Sequence, residues 1–156
     1  MPETIALTRD YITPEQELVL IGQIEDELAD GGDTDAGMGG RTRLRRYGWG
    51  IETRAEWIRD IPTWLPWHGD SIVLNEYQPG SFIGAHIDPP TCDDMVNVLS
   101  IGCEAVMTFR LREKSFALSL PPRSLLAFSG DARWNWTHEV EPVARLRYSV
   151  VWRTRR

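Results

Sequence analysis

Two histidines and one aspartate are placed where their side chains could bind one metal ion. His86 precedes Asp88 by two residues, and His138 follows much later in the chain. Side chains two residues apart on a β-strand share a face, so His86 and Asp88 can point at one ion, and a distant strand can bring His138 beside them. Two imidazoles and one carboxylate, with the opposite side of the metal open, are typical of non-haem Fe(II) sites.

Other kinds of metal site fit the sequence less well. A structural zinc site closes four protein ligands, and only three plausible ligands are present. His68, the third histidine, lies before the predicted strands, and we expect it to be structural or on the surface. Cys92 and Cys103 have no CxxC spacing, and we expect both to be reduced thiols. A cupin-type site needs more histidines than the chain has.

The segment 145–153 alternates in a way that places several arginines on one face of a strand. That face carries Arg145, Arg147, Ser149, Val151 and Arg153. Arginine beside apolar residues is costly to bury unless it meets an acid. A dicarboxylate cosubstrate would supply that acid, because guanidinium binds carboxylate as a two-pronged fork. The alternative is an edge strand whose arginines are solvated.

The segment 41–50 interleaves basic and aromatic side chains. The basic residues are Arg41, Arg43, Arg45 and Arg46, and the aromatic ones are Tyr47 and Trp49. Such a segment suits a stacked base and its phosphates. The alternative is a solvated strand whose aromatic side chains pack inward.

The remaining pattern predicts one or two helices followed by a β-rich core. Thr13 to Gln16 forms a capping box that opens a helix whose apolar face ends at Leu28, and Thr53 to Glu56 offers a second helix start. From Ser71 onward, about eight strands separated by turn signals predict a jelly roll or barrel. The strands are expected near 71–77, 82–88, 95–101, 105–111, 115–119, 123–128, 134–140 and 145–152.

Length and charge favour one globular domain over residues 1–156. Residues 1–70 would form the helical part and a substrate lid, and residues 71–153 the core. The net charge is −6, but residues 1–40 hold ten acidic residues and one basic residue, so the rest of the chain is slightly basic and tolerates a phosphate backbone. No apolar run approaches a membrane span, so we expect a cytoplasmic protein without a membrane contact or an obligate protein partner.

Four motifs in order resemble the AlkB-like Fe(II)- and 2-oxoglutarate-dependent dioxygenases, over about half of the chain. They are Asn75-Glu76-Tyr77 with Pro79-Gly80, then His86-Ile87-Asp88, then Arg123 to Gly130 with Trp136-Thr137-His138, and finally Arg147 to Arg153 in an R-x5-R spacing. The resemblance implies a double-stranded β-helix core.

The same resemblance implies the roles of the site residues. Fe(II) would bind His86, Asp88 and His138, and 2-oxoglutarate would chelate the iron through its keto-acid end. Arg147 would bind the distal carboxylate with help from Tyr77. Asn75, Ser149 and Arg153 would complete the cosubstrate contacts, and Arg153 could also steady Asp88. With O2 as the second cosubstrate, such an enzyme hydroxylates a C–H bond, and an N-methyl carbon would leave as formaldehyde.

Two departures from the family pattern bear on the substrate. Ser149 and Val151 replace an asparagine and a threonine of the DNA-repair members, and Pro90 replaces an acidic residue near the base. The run His86 to Pro89 looks more like RNA-acting relatives. We therefore expect demethylation or hydroxylation of a modified base in DNA or RNA, single-stranded or flipped out, with Arg43, Arg45, Tyr47 and Trp49 as substrate contacts. The same chemistry on a protein side chain or small molecule, or a non-catalytic β-barrel binding module, stays open.

Overall fold

Antiparallel strands make up half of the described chain, which comprises residues 3–33, 40, 43–47 and 71–155 of a computed structural model. The N-terminal part contains β1 (Ile5–Thr8), α1 (Pro14–Leu28) and β2 (Arg43–Tyr47). The C-terminal part contains β3 (Ser71–Tyr77), β4 (Ile83–His86), β5 (Cys92–Ile101), β6 (Ala105–Leu111), β7 (Lys114–Leu120), β8 (Leu125–Phe128), α2 (Gly130–Trp134), β9 (Thr137–Val140) and β10 (Arg147–Arg155).

The strands form two sheets. The larger has the order β1-β8-β5-β10-β3-β2, and the smaller has the order β4-β9-β6-β7. The eight strands after residue 70 match the eight that were predicted, so the mainly β, jelly-roll class is confirmed. The short strand β1, which pairs with β8, and the short helix α2 were not predicted. The second N-terminal helix start, at residues 53–56, lies outside the described residues.

Apolar side chains from both sheets meet in one core. Val98, Phe128 and Val151 of the larger sheet belong to the same buried cluster as Met107 and Phe109 of the smaller sheet. Because alternate residues of a strand face opposite sides, the neighbours of these residues in the larger sheet point outward. The space between the sheets is therefore where side chains from distant parts of the sequence converge.

Helix α1 covers the outer face of the larger sheet. It begins with the predicted capping box, in which Thr13 and Gln16 bond each other's backbone amides. Leu20, Ile24 and Leu28 are buried against outward-facing residues of the sheet. Neither helix in the described ranges is long and apolar enough to cross a membrane.

Strand β10 is a central strand, hydrogen-bonded to β3 on one side and β5 on the other. Tyr148, Val150 and Trp152 pack outward under α1, whereas Val151 points into the inter-sheet core. The predicted alternation is therefore correct from Arg147 to Arg153, but Arg145 was wrongly included, because it lies before β10 and is exposed. The alternative of an edge strand with solvated arginines is wrong, because Arg147 is completely buried.

Candidate metal centre and its cavity

His86, Asp88 and His138 come together between the sheets. Their candidate ligand atoms all lie within 4.8 Å of one another. His86 Nε2 lies 3.9 Å from Asp88 Oδ1, and His138 Nε2 lies 3.9 Å from Asp88 Oδ2. Two nitrogens and one carboxylate oxygen around one point form a donor set that suits Fe(II).

The two histidines are held by strand pairing. His86 ends β4 and lies directly opposite His138 of β9, and their ring centroids are 4.3 Å apart. His86 Nδ1 lies 2.8 Å from the carbonyl oxygen of Gly84, so a proton on Nδ1 leaves the lone pair of Nε2 directed at the cluster. A histidine that binds metal commonly has its other nitrogen fixed in this way.

Asp88 lies beyond the end of β4, in the segment that leads to β5. The strand was predicted to continue to residue 88, but it ends at His86. Arg153 Nη2 donates a 2.5 Å hydrogen bond to Asp88 Oδ1. Asp88 Oδ2 is buried and accepts no hydrogen bond from the residues that the structure describes. A buried carboxylate oxygen without a donor favours a bound cation.

Burial and charge together set the protonation of the cluster. Burial alone would raise the pKa of Asp88, but the positive charge of Arg153 and the nearby histidines and Arg133 lower it below its usual value. Burial lowers the pKa of His138 to about 3, against the opposing effect of Asp88. An ionised carboxylate and a neutral imidazole are the forms that bind a divalent metal.

A cavity of about 240 Å³ extends from this cluster along the inner face of the larger sheet. Most drug-sized ligands occupy pockets larger than about 300 Å³, so a small dicarboxylate fits it better. The predicted cosubstrate residues all line the cavity: Asn75, Tyr77, Arg147, Ser149 and Arg153. They come from β3 and β10, where Tyr77 lies opposite Arg147 and Asn75 opposite Ser149.

Arg147 is a buried cation with unused donors. Its Nη2 donates to Ser100 Oγ at 3.0 Å, and its Cζ lies 4.8 Å from the ring centroid of Tyr77. Its Nε and Nη1 have no hydrogen-bond partner within the described ranges. Burial lowers the pKa of Arg147 and contact with Tyr77 opposes this, so an anion beside the guanidinium would stabilise its charged form. The carboxylate of a small ligand would supply it.

The described members of the predicted substrate residues, Arg43, Arg45 and Tyr47, lie on one face of β2. Arg43 binds Glu76 and the Leu28 carbonyl, whereas Arg45 binds Asp30 and the Glu27 carbonyl. Tyr47 donates to the Glu27 carboxylate. These three side chains thus contact α1 or the outer face and do not reach the cavity, and Trp49 lies outside the described residues.

Arg46, the neighbour of Arg45, points the other way and lines the cavity. It lies opposite Val73 of β3, in the outermost described strand of the larger sheet. Its side chain is half-buried, and its guanidinium has no ion pair or hydrogen bond to any part of the chain that is described. The basic segment therefore brings one described side chain to the site.

Residues near the site that were not predicted include Met107 and Arg133. Met107 of β6 lines the cavity, and Arg133 of α2 lies completely buried next to the segment that carries Asp88. The motif that ends at His138 includes the region of Arg133, but nothing in its sequence indicates that this arginine is buried.

Known proteins resemble this chain in sequence and in fold. The profile of the 2OG-Fe(II) oxygenase superfamily matches residues 36–155. The tRNA (carboxymethyluridine(34)-5-O)-methyltransferase alkbh8 of Xenopus tropicalis is 27% identical over 91% of this chain and 26% of its own length. The mouse protein of that name is 40% identical over 47% of this chain and 11% of its own length. The chain thus spans about a quarter or less of these two relatives.

A viral protein matches over more of its own length. Uncharacterized protein L905 of Acanthamoeba polyphaga mimivirus is 27% identical over 88% of this chain and 72% of its own length. Among solved structures, OsALKBH1 superposes with a TM-score of 0.74 at 16% identity, covering 99% of both chains. A Pseudomonas putida prolyl-4-hydroxylase superposes with a TM-score of 0.69 at 16% identity, covering 98% of this chain and 93% of that one. These two structures support the jelly-roll fold.

The profile match covers most of the chain, and the cavity joins a cluster of two histidines and one aspartate to a buried arginine. This family uses Fe(II), 2-oxoglutarate and O2. The chain belongs to the 2OG-Fe(II) oxygenase superfamily, as an AlkB-like member.

Proposed function

We propose that the chain is a single-domain Fe(II)- and 2-oxoglutarate-dependent dioxygenase that hydroxylates or demethylates a modified base in single-stranded or flipped-out nucleic acid. The observation that carries the proposal is one cavity with a metal-binding cluster and a buried guanidinium whose donors are not all used. A cytoplasmic location belongs to the same proposal.

His86, Asp88 and His138 would hold the iron. The bound iron and 2-oxoglutarate would supply activation of O2 for attack on a C–H bond. The protein keeps the three ligands ready: the Gly84 carbonyl orients the His86 ring, and Arg153 holds the carboxylate of Asp88. Burial keeps His138 neutral at physiological pH, so no proton has to leave it before it binds metal.

Arg147 would bind the far carboxylate of 2-oxoglutarate. Its Nε and Nη1 have no hydrogen-bond partner among the described residues and can donate to the carboxylate, and the bond from Nη2 to Ser100 holds the guanidinium in place. Asn75 Nδ2 donates to Ser149 Oγ at 3.0 Å, which positions both polar groups on the cavity wall. The apolar side chains of Val98 and Val151 line the same cavity and exclude water between the polar groups.

Nucleic acid is the substrate class that the comparisons favour. The relatives that match in sequence include proteins named for modification of a tRNA uridine and an Arabidopsis thaliana "Alkylated DNA repair protein ALKBH8 homolog". Arg46 fits this class, because its guanidinium lines the cavity without a partner among the described residues and can bind the phosphate next to a base that enters the cavity. Pro90 stands where the DNA-repair members carry an acidic residue, which argues against their substrates, and the run His86 to Pro89 resembles RNA-acting relatives, which favours RNA.

Hydroxylation of a protein side chain is the second candidate. The superposition on a prolyl-4-hydroxylase favours it, but at 16% identity this likeness concerns the fold. The two candidates share the iron and the cosubstrate and differ in what binds at Arg46. A non-catalytic binding module is the remaining alternative, and failure of the metal-bound protein to consume 2-oxoglutarate would favour it.

The test is anaerobic reconstitution with Fe(II), followed by succinate formation from 2-oxoglutarate in air. We expect turnover in the parent protein and its loss in His86→Ala and Arg147→Met. Arg110→Met is the matched control, because Arg110 is exposed on β6 and pairs with Glu139 away from the cavity. Turnover that persists in His86→Ala would exclude the iron site, and failure of every methylated oligonucleotide to release formaldehyde or gain oxygen would favour the protein substrate.

A further inference from the structure

Arg133 is a completely buried arginine whose hydrogen bonds all go to one short segment of backbone. Nη1 donates to the carbonyl of Asp88 at 3.1 Å. Nη2 donates to Pro89 at 2.7 Å and Cys92 at 3.3 Å, and Nε donates to Asp93 at 3.3 Å. All four acceptors lie within residues 88–93, the segment that carries Asp88.

This segment has little regular structure of its own. β4 ends at His86 and β5 begins at Cys92, so no strand ladder fixes the backbone of Asp88. Within the described ranges the turn has one backbone hydrogen bond between its own residues, from Cys92 N to Pro89 O at 3.0 Å. The guanidinium of Arg133 supplies four hydrogen bonds to carbonyls of the same stretch, one of them to the carbonyl of Asp88 itself.

Through its hydrogen bonds, Arg133 connects the helix that precedes His138 to the segment that carries Asp88. It lies in α2, five residues before His138, and its Cζ stacks 4.2 Å from the ring centroid of Trp134. Trp134 Nε1 in turn donates to Asp94 Oδ1 at 2.7 Å. Helix α2 is thus bonded both to the segment that carries Asp88 and to Asp94, which directly follows that segment. Arg153 holds the carboxylate of Asp88, and Arg133 holds its backbone.

We propose that Arg133 is a positioning residue that holds Asp88 where its carboxylate can bind the metal. The inference rests on the proposed function, because it takes Asp88 as a metal ligand. A guanidinium is costly to bury without a carboxylate partner, and here its donors are directed to carbonyls of the ligand segment. Residues that orient a metal ligand typically change metal affinity by about 10- to 100-fold when removed.

Co(II) binding tests this directly, with the affinity and the ligand-field absorption spectrum as two readouts that do not require turnover. We expect Arg133→Met to bind Co(II) at least tenfold more weakly and to show an altered spectrum. Arg133→Lys keeps the charge and part of the hydrogen bonding, so it should lie between Arg133→Met and the parent protein. Tyr148→Phe is the control for general loss of stability, because Tyr148 lies on the outer face of the larger sheet and bonds Glu25 of α1.

The outcomes separate the two proposals. A parent protein that binds Co(II) and a folded Arg133→Met that binds it with equal affinity and the same spectrum would overturn the role of Arg133 alone. An equal loss in Tyr148→Phe would do the same, because the effect would then follow from stability. If Arg133→Met does not fold, the Co(II) affinity and absorption spectrum of Arg133→Lys provide the test. If Arg133→Lys does not fold either, Arg133 is required for folding, and its proposed positioning role is overturned. A parent protein that binds no Co(II) would overturn the proposed function itself.

Discussion

Arg153, near the end of β10, donates a 2.5 Å hydrogen bond to Oδ1 of Asp88, and both side chains are buried. This ion pair connects the central strand of the larger sheet to the segment that follows β4 of the smaller sheet. Its positive charge is also the first of the effects that oppose burial and lower the pKa of Asp88. The pair therefore contributes both to stability and to the readiness of Asp88 for a metal.

Replacing Arg153 with methionine should destabilise the metal-free protein by about 3–5 kcal/mol, because one partner of a buried ion pair remains uncompensated. The pKa of Asp88 should rise, so metal binding should weaken at acidic pH first. Urea unfolding and Co(II) titration at several pH values measure both effects. Asp88→Asn in the same background should restore part of the stability, and no restoration would mean that Arg153 acts through packing alone.

Acid should lower the unfolding free energy of the metal-free protein, because the unfolded chain binds a proton at His138 more readily than the folded chain does. The pKa of His138 is about 3 in the folded state, below the ordinary value of 6.5, so the unfolded chain binds a proton between these values and the folded chain does not. The stability from this residue is therefore present above pH 6.5 and is lost as the pH falls toward 3, by up to about 1.4 kcal/mol per pH unit. His138→Gln should flatten the fall in unfolding free energy over this range. An unchanged slope would show that other groups cause it.

The alternation of β10 could be predicted because it depends on local geometry. The H-x-D pattern predicted that His86 and Asp88 converge, but not that β4 ends at His86. Side chains two apart on a strand share a face wherever the strand lies, so Arg147, Ser149 and Arg153 reach one cavity. The sequence did not indicate that β10 is a central strand, because this depends on which strands pair with it.

The faces of β2 could not be assigned from the sequence. An alternating strand has two equivalent sides until another element packs on one of them. Here the C-terminal end of α1 accepts hydrogen bonds from Arg43, Arg45 and Tyr47 on the outer face. Arg46 therefore points to the opposite face and lines the cavity. The burial of Arg133 was equally hidden, because its partners are backbone carbonyls, which every sequence supplies.

Arg46 and Arg43 form a matched pair for testing nucleic-acid binding, because they lie on opposite faces of β2. Arg46→Gln should weaken binding of single-stranded RNA and reduce the slope of log affinity against log salt by about 0.7. Arg43→Gln should leave that slope unchanged and lower stability, since it removes the partner of the buried Glu76. Fluorescence anisotropy at several salt concentrations measures the slope. Equal slopes for both variants would argue against a phosphate contact at Arg46.

Arg147→Met should separate cosubstrate binding from folding. The ligand-free variant should be at least as stable as the parent, because the substitution replaces a buried guanidinium, two of whose nitrogens have no partner among the described residues, with an apolar side chain of similar length. Affinity for 2-oxoglutarate should fall by about 10- to 100-fold, the loss expected for hydrogen bonds to a charged group. Thermal unfolding with and without 2-oxoglutarate measures both. The parent should be stabilised by the ligand and the variant should not, whereas equal stabilisation of the two proteins would place the distal carboxylate away from Arg147.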